Sequence, residues 1–97
     1  MSALSTLTAT ARQIVERDAI AELHAATLEW DQGRKHLCLT FFLTGIPQDV
    51  DLETLEVAGA EIVGSCWQDI ETAGTVYVFD ELLLASALRS PAVIYRR

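Results

Sequence analysis

The sequence predicts one α+β domain spanning residues 1–97, and three observations support this class. Hydrophobic residues make up 51% of the 97 residues, which is enough for one modest core and argues against disorder. Apolar residues recur at helical spacing in some segments and at alternate positions in others. The segments follow the order α-β-β-α-β-β-α-β, which favours an antiparallel-dominated sheet with the helices packed on one face.

The first helix is predicted over residues 4–18. Leu7, Ala11, Ile14 and Val15 fall on one stripe at helical spacing, and this stripe loses its phase near residue 20.

Residues 22–44 predict a β-hairpin whose turn lies at residues 31–34, where Gly33 suits a positive φ. With Trp30 opposite Lys35, alternate residues divide between two faces of the hairpin. The predicted core face carries Ala26, Leu28, Trp30, Leu37, Leu39, Phe41 and Leu43. The second face carries Thr27, Glu29, His36, Cys38, Thr40 and Phe42. Because helices on one side leave this second face open, we expect it to offer a homodimer contact near Phe42.

The remaining elements are predicted from local signals. A short helix begins with Asp49 or Asp51 as its cap, runs to about residue 57 and stops at Gly59. Residues 61–68 and 75–79 predict two strands, separated by a turn at 71–74. Asp80 is expected to cap a helix over residues 81–89, and residues 92–95 predict a last short strand.

Charge is segregated along the chain. Between Lys35 and Arg89 there is no lysine or arginine, although these positions hold nine of the 14 carboxylates. The net charge is −7, so the protein repels nucleic acid and anionic lipid, and direct binding to either is not expected. A one-signed field of this kind favours association with a basic partner protein.

Some of these acids have a local reason to be present, because helix N-termini favour negative charge. The acids that capping leaves unexplained are the candidate partner-binding residues, namely Glu53, Glu56, Glu61, Asp69 and Glu71. Two other interpretations stay open: the acids serve solubility alone, or they imitate a nucleic-acid backbone for a DNA- or RNA-binding protein.

A second candidate site lies on the second face of the hairpin. In the predicted register Glu29 lies opposite His36, and Cys38 is two residues further along the same face. Carboxylate, imidazole and thiol are metal ligands, and a histidine beside a cysteine can also make a nucleophile. A flat sheet face converges poorly on one ion, so a cross-strand pair beside a thiol is the favoured interpretation.

No phosphate-binding glycine loop and no catalytic motif occurs in the sequence, so we expect no enzymatic activity and no cofactor or metal. The chain shows no targeting segment and no membrane-length apolar run, which favours the cytoplasm with Cys38 and Cys66 as free thiols. In its small size, acidity and lack of motifs it resembles immunity proteins and secretion chaperones. The sequence therefore predicts a non-enzymatic protein-binding module, with a small-ligand, metal-binding or catalytic domain around Glu29, His36 and Cys38 as the alternative.

Overall fold

The computed structural model describes residues 3–65 and 70–97. The elements in this part of the chain are α1 (Ala3–Asp18), β1 (Leu23–Asp31), β2 (His36–Leu43), α2 (Asp49–Ser65), β3 (Thr72–Val78), α3 (Glu81–Ala87) and β4 (Val93–Arg96). The predicted α+β class is confirmed, with helices and strands interleaved around one sheet. The predicted first helix is confirmed to within one residue at its start.

The sheet has the strand order β3-β2-β1-β4. β1 pairs antiparallel with β2 and with β4, and β2 pairs parallel with β3. The parallel pair follows from the connection, because α2 returns the chain to the end of the sheet at which β2 begins. Antiparallel pairing therefore predominates, as the sequence predicted.

The hairpin register differs from the predicted one by two residues. Trp30 lies opposite Leu37 and Glu29 lies opposite Cys38, whereas His36 lies opposite Asp31. A shift of two leaves every side chain on its predicted face, since side chains alternate with a period of two. The predicted core face is therefore correct, and the predicted pairing of Glu29 with His36 is wrong.

The turn of the hairpin explains this shift. It occupies residues 32–35, and the residue with a positive φ is Lys35, at 49°, not Gly33. The Asp31 carboxylate accepts a hydrogen bond from the Arg34 amide at 3.1 Å, which closes the turn from its first residue.

The predicted strand at residues 61–68 is wrong for residues 61–65, which continue α2. Gly59 does not end this helix; it is buried inside it. A Cβ atom at this position would lie 3.4 Å from the Thr75 hydroxyl and 3.8 Å from a Leu39 methyl. Glycine therefore lets α2 approach the sheet closely. This packing offsets the cost of about 1 kcal/mol that glycine, relative to alanine, imposes on a helix. Residues 66–68 lie outside the described residues.

The main core lies between the first face of the sheet and the two longer helices. Leu7, Ala11 and Val15 of α1 and Leu55 and Ile62 of α2 are buried against it. The rings of Phe41 and Tyr77 stack across β2 and β3, with their centroids 5.9 Å apart.

The prediction that all helices pack on one face is wrong for α3. Ala87 of α3 forms a smaller cluster with Ala25 and Phe42 on the second face, with Leu84 and Val78 packed beside it. Phe42 is only 7% exposed beneath this helix. The homodimer contact that the sequence predicted near Phe42 is therefore covered by the chain itself.

The helix caps follow the sequence closely. Asp80 caps α3, and its carboxylate accepts a 2.8 Å hydrogen bond from the Leu82 amide. At the start of α2, the Asp51 carboxylate accepts from the Gln48 amide at 3.3 Å. None of the described helices is both long and apolar enough to cross a lipid bilayer.

Candidate functional site

A groove of about 430 Å³ lies along the outer side of α2, at the end of α1. Its lining combines apolar and charged side chains, namely Arg17, Asp18, Val50, Glu53, Thr54, Val57 and Glu61. Three of these carry a negative charge and one carries a positive charge, so the lining has a net charge of −2. We refer to it below as the α2 groove.

The apolar part of the α2 groove consists of two valines on the exposed side of the helix. Val50 is 61% exposed and Val57 is 52% exposed. They are seven residues apart, which places them on the same stripe of the helix two turns from each other. Exposed valines on a helix whose opposite side is already buried have no role in the core, so they are available to a partner.

The charged part comes from α1 as well as α2. The Nη2 atom of Arg17 donates hydrogen bonds to both carboxylate oxygens of Glu61, at 2.8 and 2.9 Å, and to one carboxylate oxygen of Asp18, at 2.8 Å. The Nε atom of Arg17 donates to the other Asp18 oxygen at 3.0 Å. The hydrogen bond from Arg17 lowers the pKa of the Asp18 carboxyl below its ordinary value. The hydrogen bonds to Asp18 and, next, to Glu61 raise the pKa of the Arg17 guanidinium in turn.

Glu53 is the candidate acid in this groove that forms no ion pair with any of the described residues. It is exposed and lies on α2 between Val50 and Val57. Because Glu61 shares its charge with Arg17, Glu53 is the carboxylate best able to attract a basic group.

Glu56 lies on the other flank of α2, toward β3. The Tyr77 hydroxyl has its pKa raised by burial and, to a smaller extent, by the negative charge of Glu56. This hydroxyl is buried and makes no hydrogen bond to any residue that the structure describes. Glu53 and Glu56 are three residues apart and so are neighbours on the surface of α2. Glu53 lines the groove, whereas Glu56 lies just outside it.

The other two candidate acids are not part of the α2 groove. Glu71 is exposed just before β3, and its amide donates a 2.9 Å hydrogen bond to the Lys35 carbonyl. Asp69 lies outside the described residues. Glu53 and Glu61 therefore line one groove, and Glu56 and Glu71 lie outside its lining.

Three arginines bind backbone carbonyls. Arg12 donates to the Ile94 carbonyl at 3.1 Å, and Arg96 donates to the Leu88 carbonyl at 2.7 Å. Arg97 donates to the carbonyls of Ile20 and Ala21. Within residues 3–65 and 70–97, ion pairs are recorded at Arg17 alone, with Asp18 and Glu61. Arg17 therefore offsets the negative charge of α2 at Glu61.

The candidate site on the second face of the sheet is dispersed. A ring nitrogen of His36 lies 2.7 Å from the Thr72 hydroxyl, on the neighbouring strand. Cys38 carries a free thiol, as predicted, which lies 4.0 Å from the Thr40 hydroxyl. Where side chains are described, no group of three or more histidine, cysteine or acidic residues is arranged to hold a metal ion.

Glu29 borders a different groove, of about 300 Å³, between α3 and the second face of the sheet. The residues that line it are Thr27, Glu29, Phe42, Val78, Leu83, Ser86, Ala87 and Ser90. Neither His36 nor Cys38 is among them.

The sequence did not identify five residues of the α2 groove: Arg17, Asp18, Val50, Thr54 and Val57. The seven-residue spacing of the valines, with Glu53 between them, was a usable signal. The sequence alone does not show that both valines are exposed, because their exposure depends on which side of α2 packs against the core. No protein-family model matches this chain, and no curated protein matches it significantly.

Proposed function

We propose that this protein is a cytoplasmic, non-enzymatic protein-binding module that presents the α2 groove to a basic segment of a partner protein. The observation that supports this most directly is the pair of exposed valines flanking Glu53 in the groove. Apolar contact supplies affinity, and an unopposed carboxylate supplies speed of encounter and choice of partner.

The geometry favours a partner segment with alternating apolar and basic side chains. On α2, Val50 and Val57 are separated by about 10 Å along the helix axis, with Glu53 between them. A helix or extended segment that places two apolar residues at this separation, with a lysine or arginine between them, matches the groove. The net charge of −7 adds attraction at longer range.

The test begins with capture of candidate partners from native lysate at low salt, followed by affinity measurements on the purified pair. We expect Glu53→Lys to weaken binding by about tenfold at low ionic strength, and Val57→Ser to weaken it at low and high salt alike. Glu71→Lys makes the same change in net charge outside the groove and serves as the matched control. Val76→Ser is the control for the valine change, because Val76 is exposed on β3.

The pattern of losses decides between the groove and the general field. If Glu71→Lys weakens binding as much as Glu53→Lys does, the partner responds to net charge and the groove is not its site. An affinity that is unchanged between low and high salt would contradict the electrostatic part of the proposal.

The groove under α3 supports a second candidate function, the binding of a small ligand. It has an apolar floor at Phe42 and Val78, hydroxyls at Thr27 and Ser86, and one carboxylate at Glu29. A small amphipathic molecule with a cationic group fits this lining best. Glu29→Gln would weaken such a ligand, whereas His36→Ala combined with Cys38→Ala would leave its affinity unchanged because neither residue lines the groove.

A further inference from the structure

β3 leaves one long edge of the sheet unpaired. In the strand order β3-β2-β1-β4, it contacts β2 on one side, and no other described strand pairs with it. Its seven residues include no charged residue and no proline. The opposite edge, β4, has four residues, one of them Arg96. Charge and short length protect an edge from pairing with another chain, so β4 is protected and β3 is not.

The backbone of β3 has a defined set of outward-facing groups. The Thr72 amide donates to the Lys35 carbonyl on the β2 side at 3.3 Å. Because alternate residues direct their amide and carbonyl groups to opposite edges, Thr72, Gly74 and Val76 face β2. Ala73, Thr75 and Tyr77 therefore direct theirs to the open edge.

We propose that β3 pairs antiparallel with β3 of a second copy of this chain, about a two-fold axis at Thr75. Thr75 then faces its own counterpart, and Ala73 faces Tyr77 of the second copy. These are the residues with outward backbone groups, so the three pairs together exchange about six hydrogen bonds. The pairing joins two four-stranded sheets into one continuous sheet.

The side chains of β3 are complementary to themselves about this axis. In the paired strands, small Ala73 of each copy lies opposite large Tyr77 of the other copy, and Gly74 of each copy lies opposite Val76 of the other. At the centre, two threonines face each other, which is a favourable cross-strand pair. This self-complementarity favours a second copy of the chain over an unrelated peptide, since a two-fold interface must match its own surface.

The helix layer above the strands fits the same arrangement. Gly59 lies over Thr75, so α2 crosses β3 at the level of the axis. Ala60 beside it is small and exposed, which lets the two α2 helices approach each other. Glu56 also lies on this flank, and its counterpart in the second copy repels it. High salt therefore strengthens this dimer, whereas it weakens the binding of a basic partner.

The interface is small. A seven-residue strand is about 23 Å long, and with one helix from each copy the contact buries roughly 1,000 Å² in total. This area lies at the low end for specific complexes, so we expect a reversible dimer with a dissociation constant of about 10–100 µM.

Sedimentation equilibrium over about 10 µM to 1 mM protein, at about 0.05 and 0.5 M NaCl, tests the association and its salt dependence. We expect a dimer that is favoured by the higher salt. Val76→Lys should raise the dissociation constant about tenfold or more, because it places a charge on the paired strand. Val50→Lys makes the same change in net charge on the outer side of α2, and we expect a change below about threefold.

Hydrogen exchange identifies the surface directly. The amides of Ala73, Thr75 and Tyr77 should gain protection as protein concentration rises, and this gain should disappear in Val76→Lys while its circular dichroism spectrum is retained. A strict monomer at about 1 mM in high salt overturns the proposal. So does a dimer that forms equally well in Val76→Lys, or one in which these three amides exchange as fast as in the monomer.

Discussion

Arg17 and Glu61 join the end of α1 to α2 through one guanidinium nitrogen, which donates hydrogen bonds of 2.8 and 2.9 Å to the two carboxylate oxygens. Both side chains are about half exposed, so this ion pair contributes little to stability. Its main effect is on charge, because it neutralises one acid of the α2 groove, whereas Glu53 has no ion-pair partner in the part of the chain that the structure describes. The character of the groove therefore depends on a single arginine.

Replacing this arginine changes the titration of its neighbour. In Arg17→Gln, the Asp18 carboxyl loses the hydrogen bond that holds its pKa low, and we expect that pKa to rise toward the ordinary value. An NMR titration of the Asp18 carboxyl carbon measures this. Arg12→Gln, on the same helix, is the control and should leave Asp18 unchanged.

The same change affects stability in acid. A pKa that is lowered in the folded state stabilises the fold above the unfolded value of about 3.9, and this contribution is lost as the pH falls through the folded value. We therefore expect the free energy of unfolding of Arg17→Gln to fall less steeply than that of the wild type below about pH 4. Parallel curves from urea denaturation between about pH 6 and pH 2 would contradict this.

Tyr77→Phe should stabilise the protein or leave its stability unchanged. The hydroxyl of Tyr77 is buried and has no hydrogen-bond partner within residues 3–65 and 70–97, and a buried hydroxyl without a partner costs about 1–3 kcal/mol. The ring, which stacks on Phe41, is retained in the variant. Urea denaturation at neutral pH measures the difference, and a clear loss of stability would show that the hydroxyl has a partner.

The buried hydroxyl of Tyr77 also predicts that the free energy of unfolding depends on pH in the alkaline range. Burial raises the pKa of its hydroxyl, so the folded state holds the proton more firmly than the unfolded state. This contribution is fully present below the unfolded pKa of about 10 and is lost as the pH rises above it. Tyr77→Phe should therefore lose less stability than the wild type between about pH 9 and pH 11, as followed by urea denaturation at each pH.

Two glycines of α2 should respond differently to the same substitution. Apart from the backbone of α2 and the adjacent residues, no atom of the described part of the chain lies within 4 Å of the Cβ position of Gly64. Gly64→Ala should therefore raise the free energy of unfolding by about 0.5–1 kcal/mol through helix propensity. At Gly59 the new methyl group contacts Thr75, and the gain should be smaller or absent. Gly59→Leu should cost about 1–3 kcal/mol by overpacking, while Gly64→Leu should cost little. Equal effects at the two positions would contradict the close approach of α2 to the sheet.

Two substitutions separate the capping hydrogen bond of Asp80 from the effect of its negative charge. Asp80→Ala removes the acceptor for the Leu82 amide and should cost about 1 kcal/mol. Asp80→Asn keeps an acceptor oxygen and removes the charge, so its cost should be no more than a few tenths of a kcal/mol. Thermal unfolding of the two variants distinguishes the contributions, and an equal loss in both would assign the effect to charge.

Much of the fold was predictable because its signals are local. The division of the hairpin into two faces depends only on the alternation of side chains along a strand, so it survived a register shift of two residues. The Asp80 cap depends on hydrogen bonds to amides two and three residues away, and it is where the sequence places it.

Other features were decided by contacts between distant segments. The β-branched residues at 62–63 locally favour a strand, and the glycines on either side disfavour a helix, yet these residues are helical. Burial of Ile62 in the core and the close contact of Gly59 with β3 outweigh that preference. Local propensity could not show this, because the residues that Gly59 and Ile62 contact lie in distant segments of the chain.

The sequence by itself determined the α+β class, the faces of the hairpin and the one-signed charge of residues 36–88. Only the tertiary structure decided which acids act together. Glu53 and Glu61 share a groove because α2 extends beyond Gly59, and Glu61 is neutralised by an arginine 44 residues away in sequence. The net charge follows from the residues that are present. The electrostatic field at the surface depends on the distances between charged side chains, and folding sets those distances.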